Sequence, residues 1–167
     1  LDILPGEKPT IEDWENHLST IFTEVRLKKF IEVRGADAGN WRRTCALPAF
    51  WVGLLYDETS IEQANNLCKD WKIKDIEKLS NDVAKEGLQA VIKRKKILDV
   101  ARELLEISKG GLINRKVLDS QGNNESGYLN VLEEILQKKT TPAKELFDNF
   151  SIKYNNSFTY LLKDIAY

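Results

Sequence analysis

The chain has 167 residues, of which 42% are hydrophobic, and 25 Lys and Arg against 26 Asp and Glu leave a net charge of −1. This length and hydrophobic content suit one globular domain, and the balanced charge gives no electrostatic reason to expect nucleic acid or an anionic membrane as a partner. One His and two Cys without zinc-like spacing exclude a His-rich metal site and a disulfide framework, and the longest apolar run, residues 46–56, is about half as long as a membrane-spanning helix.

The N-terminal part of the chain is predicted to hold a loop, a helix and a short strand. Residues 1–9 contain two Pro and one Gly and indicate an extended loop. Thr10 has the character of an N-cap, and apolar residues at spacings of three and four over residues 11–25 predict one helix face. Residues 30–34 change to a strand pattern that ends at Gly35. Because a lone strand would leave its backbone groups unpaired, we expect a partner strand from a short unrecognised neighbour, from a second chain or from a missing N-terminal half.

From residue 41 onward the apolar spacing is helical, and roughly five to seven helices are predicted in the whole chain. Pro48 suits the first turn of one helix. Ser60 followed by Gln63 resembles a capping box at the start of the next helix. A short helix is expected near residues 73–83.

The longest helix is predicted from Leu88 to Leu105, with Gly110 and Gly111 ending it. The basic run of residues 93–96 would lie on this helix, where a solvated face is favoured over a nucleic-acid patch because the chain is nearly neutral. Residues 119–127 are predicted to form a loop, residues 128–137 a helix, and Thr141 with Pro142 the start of a further helix.

The sequence around the two cysteines and two neighbouring arginines points to no specific chemical role for them. Cys68 lies on an apolar helix face and is predicted to be buried and inert. Cys45 is either structural or redox-active. Arg42 and Arg43, close by in sequence, form either a charged rim or an anion-binding pair.

Glu32 and Arg34 are the two residues whose side chains best suit an active site. On a strand they point to the same face, roughly 6–7 Å apart along the chain. A carboxylate and a guanidinium at that separation could bind a polyanionic substrate, the carboxylate through Mg²⁺ and the guanidinium through phosphate oxygens. The same spacing also fits a purely structural pair in a sheet, and the spacing alone leaves both interpretations open.

Two segments of the strand region and of the part after it are distinctive: residues 30–37 read FIEVRGAD and residues 41–57 read WRRTCALPAFWVGLLYD. Both segments resemble glutamate–cysteine ligases of the plant and alphaproteobacterial type. The resemblance is close up to about residue 60 and weaker beyond. It also includes residues 12–22, 24–28, 110–112, 128–129 and 140–143.

This resemblance implies a carboxylate–amine ligase that makes γ-glutamylcysteine in glutathione biosynthesis. ATP would phosphorylate the γ-carboxylate of glutamate, and the amine of cysteine would attack the resulting acyl phosphate. The implied cofactors are ATP and Mg²⁺, and the implied location is the cytoplasm, or the plastid for a plant protein. The implied fold class is α+β, mostly α in this chain, with a C-terminal helical region and one sheet strand of a glutamine-synthetase-like ligase fold.

Carried over residue by residue, the resemblance implies roles for three side chains. Glu32 matches a carboxylate expected to bind Mg²⁺ near the ATP phosphates. Arg34 matches the arginine expected to bind ATP and to steady the transferring phosphoryl group. Cys45 matches a cysteine that forms a redox disulfide in plant-type members, with a partner outside this chain.

The chain is expected to be one domain, residues 1–167, forming the C-terminal portion of a longer ligase. It contains no Met and begins without a recognisable natural N-terminus, which favours this interpretation. Residues 1–9 would be the N-terminal loop, residues 10–57 the helix-strand-loop-helix motif region, and residues 58–167 the helical region.

The expected partners are glutamate, cysteine and ATP, together with the missing N-terminal half. A homo-oligomer formed through the unpaired strand is a further expectation, whereas nucleic acid and membranes are not expected. The isolated chain is predicted to lack activity. Two alternatives stay open: a non-catalytic helical interaction module, and a related ligase with another amino acid as acceptor.

Overall fold

Residues 5–165 are described by a computed structural model, and the chain divides into two units, Leu1–Asp37 and Ala38–Tyr167. The sequence predicted one domain made of three segments, residues 1–9, 10–57 and 58–167. Residues 5–165 contain eight α-helices and two small antiparallel sheets, so the α+β class, mostly α, is confirmed, and the predicted number of five to seven helices is too low. The predicted N-terminal loop lies partly outside the described residues, and its residues 5–9 contain no helix or strand.

The first helix, α1, extends over Ile11–Ser19 and begins as predicted at Thr10. The Thr10 hydroxyl accepts a hydrogen bond from the Asp13 amide at 3.2 Å, and the Asp13 carboxylate accepts one from the Thr10 amide at 2.7 Å. The predicted extension to Val25 is wrong. The helix ends early because the Thr20 hydroxyl donates to the carbonyl of His17, which satisfies an acceptor that a further helical turn would otherwise use.

Strand β1 (Val25–Leu27) pairs with strand β2 (Ile31–Val33) in an antiparallel hairpin. The extended conformation predicted around Glu32 is therefore confirmed, and its partner is the unrecognised neighbour in the same chain. Strand β1 thus supplies a ladder for β2 within the same chain, and the expectation of a homo-oligomer stays a prediction. Strand β1 was not predicted because Val25, its first residue, continues the helical spacing of α1.

Residues 5–37 of the first unit form no hydrophobic core. None of residues 5–37 is buried, although the segment is rich in large apolar side chains. A unit of this size normally needs burial to offset the entropy of ordering its chain. The exposed apolar side chains are Ile11, Trp14, Leu18, Ile21, Phe22, Val25, Leu27, Phe30 and Ile31.

The second unit is helical, and its helices begin at side-chain caps that differ partly from the prediction. Asn40 caps the helix in which Pro48 lies, so Pro48 is inside that helix and not in its first turn. The next helix begins after Asp57, whose carboxylate accepts from the Ser60 amide, and not at the predicted box. Thr141 is an N-cap as predicted. The helices are α2 (Trp41–Leu55), α3 (Glu58–Cys68), α4 (Ile73–Glu86), α5 (Ile97–Arg115), α6 (Asn130–Lys138), α7 (Pro142–Ile152) and α8 (Phe158–Ile165), with 3₁₀ turns at Gly87–Gln89 and Glu125–Leu129.

The core of the second unit lies between α2 and α5, which pack together closely. Leu112 and Leu129 are fully buried at its centre. The hydroxyl of Ser108 on α5 donates to the carbonyl of Phe50 on α2 at 2.8 Å. The hydroxyl of buried Ser60 on α3 donates to an α5 carbonyl at 3.2 Å. Three helices are thus joined by apolar packing and by hydrogen bonds from two buried serine hydroxyls.

Gly53 and Gly111 lie where α2 crosses α5. A Cβ atom on Gly111 would overlap the carbonyl oxygen of Gly53 and lie 2.7 Å from the Ser60 hydroxyl oxygen. The prediction that the glycine pair ends the long helix is wrong, because α5 continues to Arg115. Gly111 allows the two helices to cross closely. The spacing of apolar residues does not show whether a glycine lies at such a crossing or at the end of a helix.

A second hairpin replaces the predicted start of the long helix. Strands β3 (Val91–Ile92) and β4 (Lys95–Lys96) pair antiparallel, and α5 begins only afterwards. The turn residues Lys93 and Arg94 have φ values of 46° and 67°, the left-handed region. The β-branched side chains of β3 favour a strand although their spacing also fits a helix. The basic run therefore lies on this hairpin.

None of the helices within residues 5–165 combines the length and the apolar character needed to cross a membrane.

Candidate active site

The first hairpin positions both candidate site residues. In its register Arg26 lies directly opposite Glu32, and Val25 lies opposite Val33. The amide of Arg34 donates to the carbonyl of Glu24 at 2.8 Å, which continues the pairing one residue beyond β2. Glu32 is therefore held on a paired strand and Arg34 at its end.

Glu32 forms its ion pair with Arg26. Arg26 Nε donates a hydrogen bond to Glu32 Oε2 at 2.8 Å, Arg26 Nη2 lies 2.8 Å from the same oxygen, and Lys28 Nζ lies 3.9 Å from it. The hydrogen bond from Arg26 lowers the pKa of Glu32 below its ordinary value, with nearby cationic charge adding to the effect. Glu32 is thus ionised at neutral pH. The structural alternative of a Glu32–Arg34 pair is replaced by a cross-strand Arg26–Glu32 pair.

Arg26 is a residue of this site that the sequence pattern did not predict. Its Nη1 donates to the carbonyl of Ser19, at the C-terminal end of α1, at 2.6 Å. Its side chain is only 14% exposed, compared with 31% for that of Glu32. Arg26 could have been identified from its position directly opposite Glu32. That position follows only from the Val25–Val33 register, which the sequence does not give.

Arg34 carries an unsatisfied hydrogen-bond donor. Its guanidinium carbon lies 4.8 Å from the centre of the Phe22 ring, a cation–π distance. Among residues 5–165, its buried Nη1 atom has no hydrogen-bond partner. A buried donor without a partner is costly, and the cost is removed when an acceptor arrives. A guanidinium edge is well suited to phosphate oxygens, so this donor fits an anionic ligand.

The residues present fit the role of one magnesium ligand and not of a complete site. Within residues 5–165, the side-chain hydrogen bond to Glu32 falls on Oε2, and Arg26 and Lys28 both make their closest approach to that oxygen, which leaves Oε1 without a hydrogen bond. Mg²⁺ is commonly bound by one or two carboxylates together with substrate phosphates and water. Over the described part of the chain, no group of three or more His, Cys, Asp or Glu side chains is arranged to hold a metal ion.

The arginine pair and the cysteines belong to the second unit. Arg42 binds Glu134 through two hydrogen bonds of 2.6 and 3.2 Å, so its guanidinium already has an acidic partner. This contact favours the charged-rim interpretation for Arg42. Cys45 is a half-buried free thiol, and its redox role stays a prediction. The prediction that Cys68 is buried is wrong, because it lies exposed at the end of α3.

Comparisons with known proteins extend the resemblance over almost the whole chain. Residues 4–157 match the family model described as glutamate-cysteine ligase family 2. The chain is 44% identical over 167 residues to a chloroplastic glutamate–cysteine ligase of Medicago truncatula, covering 100% of this chain and 32% of that protein. It is 42% identical over 164 residues to the chloroplastic enzyme of Solanum lycopersicum, covering 98% of this chain and 30% of that protein. The chain thus spans about a third of the length of the curated relatives it matches.

Proposed function

This chain belongs to glutamate-cysteine ligase family 2, and we propose that it forms one part of an ATP-dependent ligase that joins glutamate to cysteine. The observation that carries the proposal is the 44% identity to a chloroplastic glutamate–cysteine ligase over the full length of this chain. A full-length enzyme that contains this chain is called the complete ligase. Because that relative is named chloroplastic, we extend the proposal to a plastid location for a plant protein.

The proposed reaction has two steps. An oxygen of the γ-carboxylate of glutamate attacks the γ-phosphorus of ATP, and ADP leaves. The amine nitrogen of cysteine then attacks the carbonyl carbon of the acyl phosphate and loses a proton, and inorganic phosphate leaves. Phosphoryl transfer depends mainly on positioning and on charge neutralisation, which preorganised ionic side chains supply.

In this reaction Arg34 binds the transferring phosphoryl group, and Glu32 supplies one ligand of the Mg²⁺ ion. Within residues 5–165, Nη1 of Arg34 has no hydrogen-bond partner, which supports the first role because phosphate oxygens are good acceptors for it. The ionised state of Glu32, and an Oε1 atom that accepts no hydrogen bond from the described part of the chain, support the second. Mg²⁺ bound beside ATP would supply additional positive charge on the phosphate oxygens. The glutamine-synthetase-like sheet and the redox role of Cys45 belong to the same proposal.

The isolated 167-residue chain is expected to have no ligase activity. Residues 5–37 leave their apolar side chains exposed, and the described residues offer Glu32 as one cation ligand without a cluster around it. The measurement is ADP release and dipeptide formation from ATP, Mg²⁺, glutamate and cysteine, with the complete ligase as a positive control. Cysteine-dependent turnover by the purified chain would contradict this expectation. Calorimetry should likewise detect weak or absent ATP binding to the isolated chain.

Glu32→Gln in the complete ligase is expected to weaken the Mg²⁺ dependence and the turnover together. The substitution removes one anionic ligand and keeps the shape of the side chain, so the Mg²⁺ concentration for half-maximal rate should rise by roughly tenfold or more. Glu15→Gln, on the exposed surface of α1, is the matched control for loss of one carboxylate. Steady-state rates over a Mg²⁺ series and thermal unfolding are measured on the same preparations. Near-normal rates in a destabilised Glu32 variant would place this residue in the scaffold.

A further inference from the structure

We propose that Arg26 is a positioning residue that holds Oε2 of Glu32 and thereby presents Oε1 to a divalent cation. This inference rests on the proposed function, because it takes Glu32 as a cation ligand. It assigns a task to a residue that lies in the sheet and has no part in the reaction steps of the proposed function.

The guanidinium of Arg26 is fixed at both of its edges. Nε and Nη2 face Glu32 Oε2, each at 2.8 Å, while Nη1 donates to the Ser19 carbonyl at 2.6 Å. Two strands and one helix end therefore determine where this planar group lies. A planar group with its donors engaged on two sides has little freedom to rotate.

The contacts of Glu32 are distributed unevenly over its two oxygens. Arg26 and Lys28 both make their closest approach to Oε2, and no hydrogen bond within residues 5–165 reaches Oε1. The terminal torsion of a glutamate is broad and roughly twofold, so a free carboxylate samples many orientations. Fixing Oε2 selects one orientation and leaves Oε1 with its lone pairs available.

Loss of the Arg26 charge and loss of its positioning role change the affinity for a divalent cation in opposite directions. The direction of the change therefore tests the proposal. A positive group beside a carboxylate competes with a cation for the same negative charge. If Arg26 acted only in this way, removing its charge would tighten cation binding. If Arg26 positions the carboxylate, removing it would weaken binding despite the gain in local negative charge. Outer-shell partners of metal ligands typically contribute roughly 10–100-fold to affinity.

The experiment measures Mn²⁺ binding to the complete ligase by electron paramagnetic resonance, with Mn²⁺ as the probe because it accepts the same oxygen ligands as Mg²⁺. Arg26→Met and Arg26→Lys are both expected to weaken Mn²⁺ binding by roughly 10–100-fold, since lysine keeps the charge and loses the planar pair of donors. Lys28→Met is the matched control. It removes a positive charge 3.9 Å from the same oxygen, and its effect should stay below about threefold.

Three outcomes decide the matter. Tighter or unchanged Mn²⁺ binding in both Arg26 variants, with Glu32→Gln weakened, overturns the positioning role and leaves the proposed function in place. Unchanged binding in Glu32→Gln overturns both, because Glu32 would then not be a cation ligand. Weakened binding in both Arg26 variants supports the proposal. Thermal unfolding and circular dichroism accompany each variant, and Arg26→Lys carries the test if Arg26→Met fails to fold after losing its hold on the end of α1.

Discussion

Replacement of Arg34 by alanine in the complete ligase is expected to lower turnover by roughly 10²–10³-fold, the usual cost of losing one preorganised charge stabiliser. Arg34 sits at the end of β2 with its guanidinium against the Phe22 ring and with Nη1 unpartnered within the described residues. A phosphoryl group in transfer would supply the missing acceptor. Because alanine offers no donor, the loss should fall mainly on the catalytic rate constant.

The stability of the hairpin should change little in this variant. The hydrogen bond from residue 34 to Glu24 uses the backbone amide, which alanine retains. The lost contact with Phe22 is of the exposed cation–π kind, worth about 0.5–1 kcal/mol. Rate and thermal unfolding are therefore measured on the same preparation. Arg34→Lys tests the planar fork of donors, because it keeps the charge alone.

The matched control for loss of a cation is Lys29→Ala, in the turn of the same hairpin. Lys29 is exposed and lies outside the two strands. It should leave turnover close to that of the unsubstituted enzyme. A large loss of unfolding temperature in Arg34→Ala, together with normal turnover per folded molecule, would assign Arg34 to the scaffold and contradict the prediction.

Gly111→Ala is expected to destabilise the chain by roughly 3 kcal/mol or more, at the upper end of overpacking effects. A Cβ atom at this position would overlap the Gly53 carbonyl oxygen and lie 2.9 Å from the Gly53 carbonyl carbon. The obstacle is backbone, which cannot rotate away as a flexible side chain could. The α2–α5 crossing must therefore widen, and the hydrogen bond between Ser108 and Phe50 would lengthen with it.

Gly110→Ala is the neighbouring control for this prediction. Among residues 5–165, a Cβ built on Gly110 would meet no atom within 4 Å apart from its chain neighbours and the nearby backbone of its own helix, and the residue is inside α5. Alanine is favoured over glycine there by about 0.5–1 kcal/mol, so this variant should be as stable as the parent chain or more so. Urea unfolding followed by circular dichroism measures both variants. Equal midpoints for the two would show that the crossing is not tight at Gly111.

The local signals that the sequence does reveal are those decided by neighbouring residues. The Thr10 and Thr141 caps are correct because a cap depends on a side chain and an amide three residues away. The extended conformation at Glu32 is correct because β-branched residues followed by a glycine favour a strand over a helix. Such features need no knowledge of distant parts of the chain.

The failures occur where a helical spacing continues across a change of structure. Val25 fits the face of α1 and yet belongs to β1, and Val91 fits the face of α5 and yet belongs to β3. In both cases a hairpin partner, which periodicity does not register, decides the conformation. The prediction at Gly111 was wrong for a related reason, since its neighbour across the crossing is Gly53.

The sequence selected the residues of the candidate site but did not predict the contacts that they make. The long match around FIEVRGAD selected Glu32 and Arg34, a result that spacing alone could not give. The ion pair of Glu32 with Arg26, and the contact of Arg34 with Phe22, required the hairpin register and the path of the chain before it. The roles of Glu32, Arg34 and Cys45 remain predictions that the proposed variants test.

The left-handed turn at Lys93 and Arg94 has a further consequence, for proteolysis. Left-handed backbone costs about 1–2 kcal/mol for each residue other than glycine, so this hairpin should open more easily than the helices beside it. Residues 93–96 offer four successive basic residues to a trypsin-like protease, three of them exposed. A cut here would sever the covalent connection between α4 and α5. The two pieces would nonetheless stay associated, because α2 and α5 lie on opposite sides of the cut and hold each other through the Gly53–Gly111 crossing.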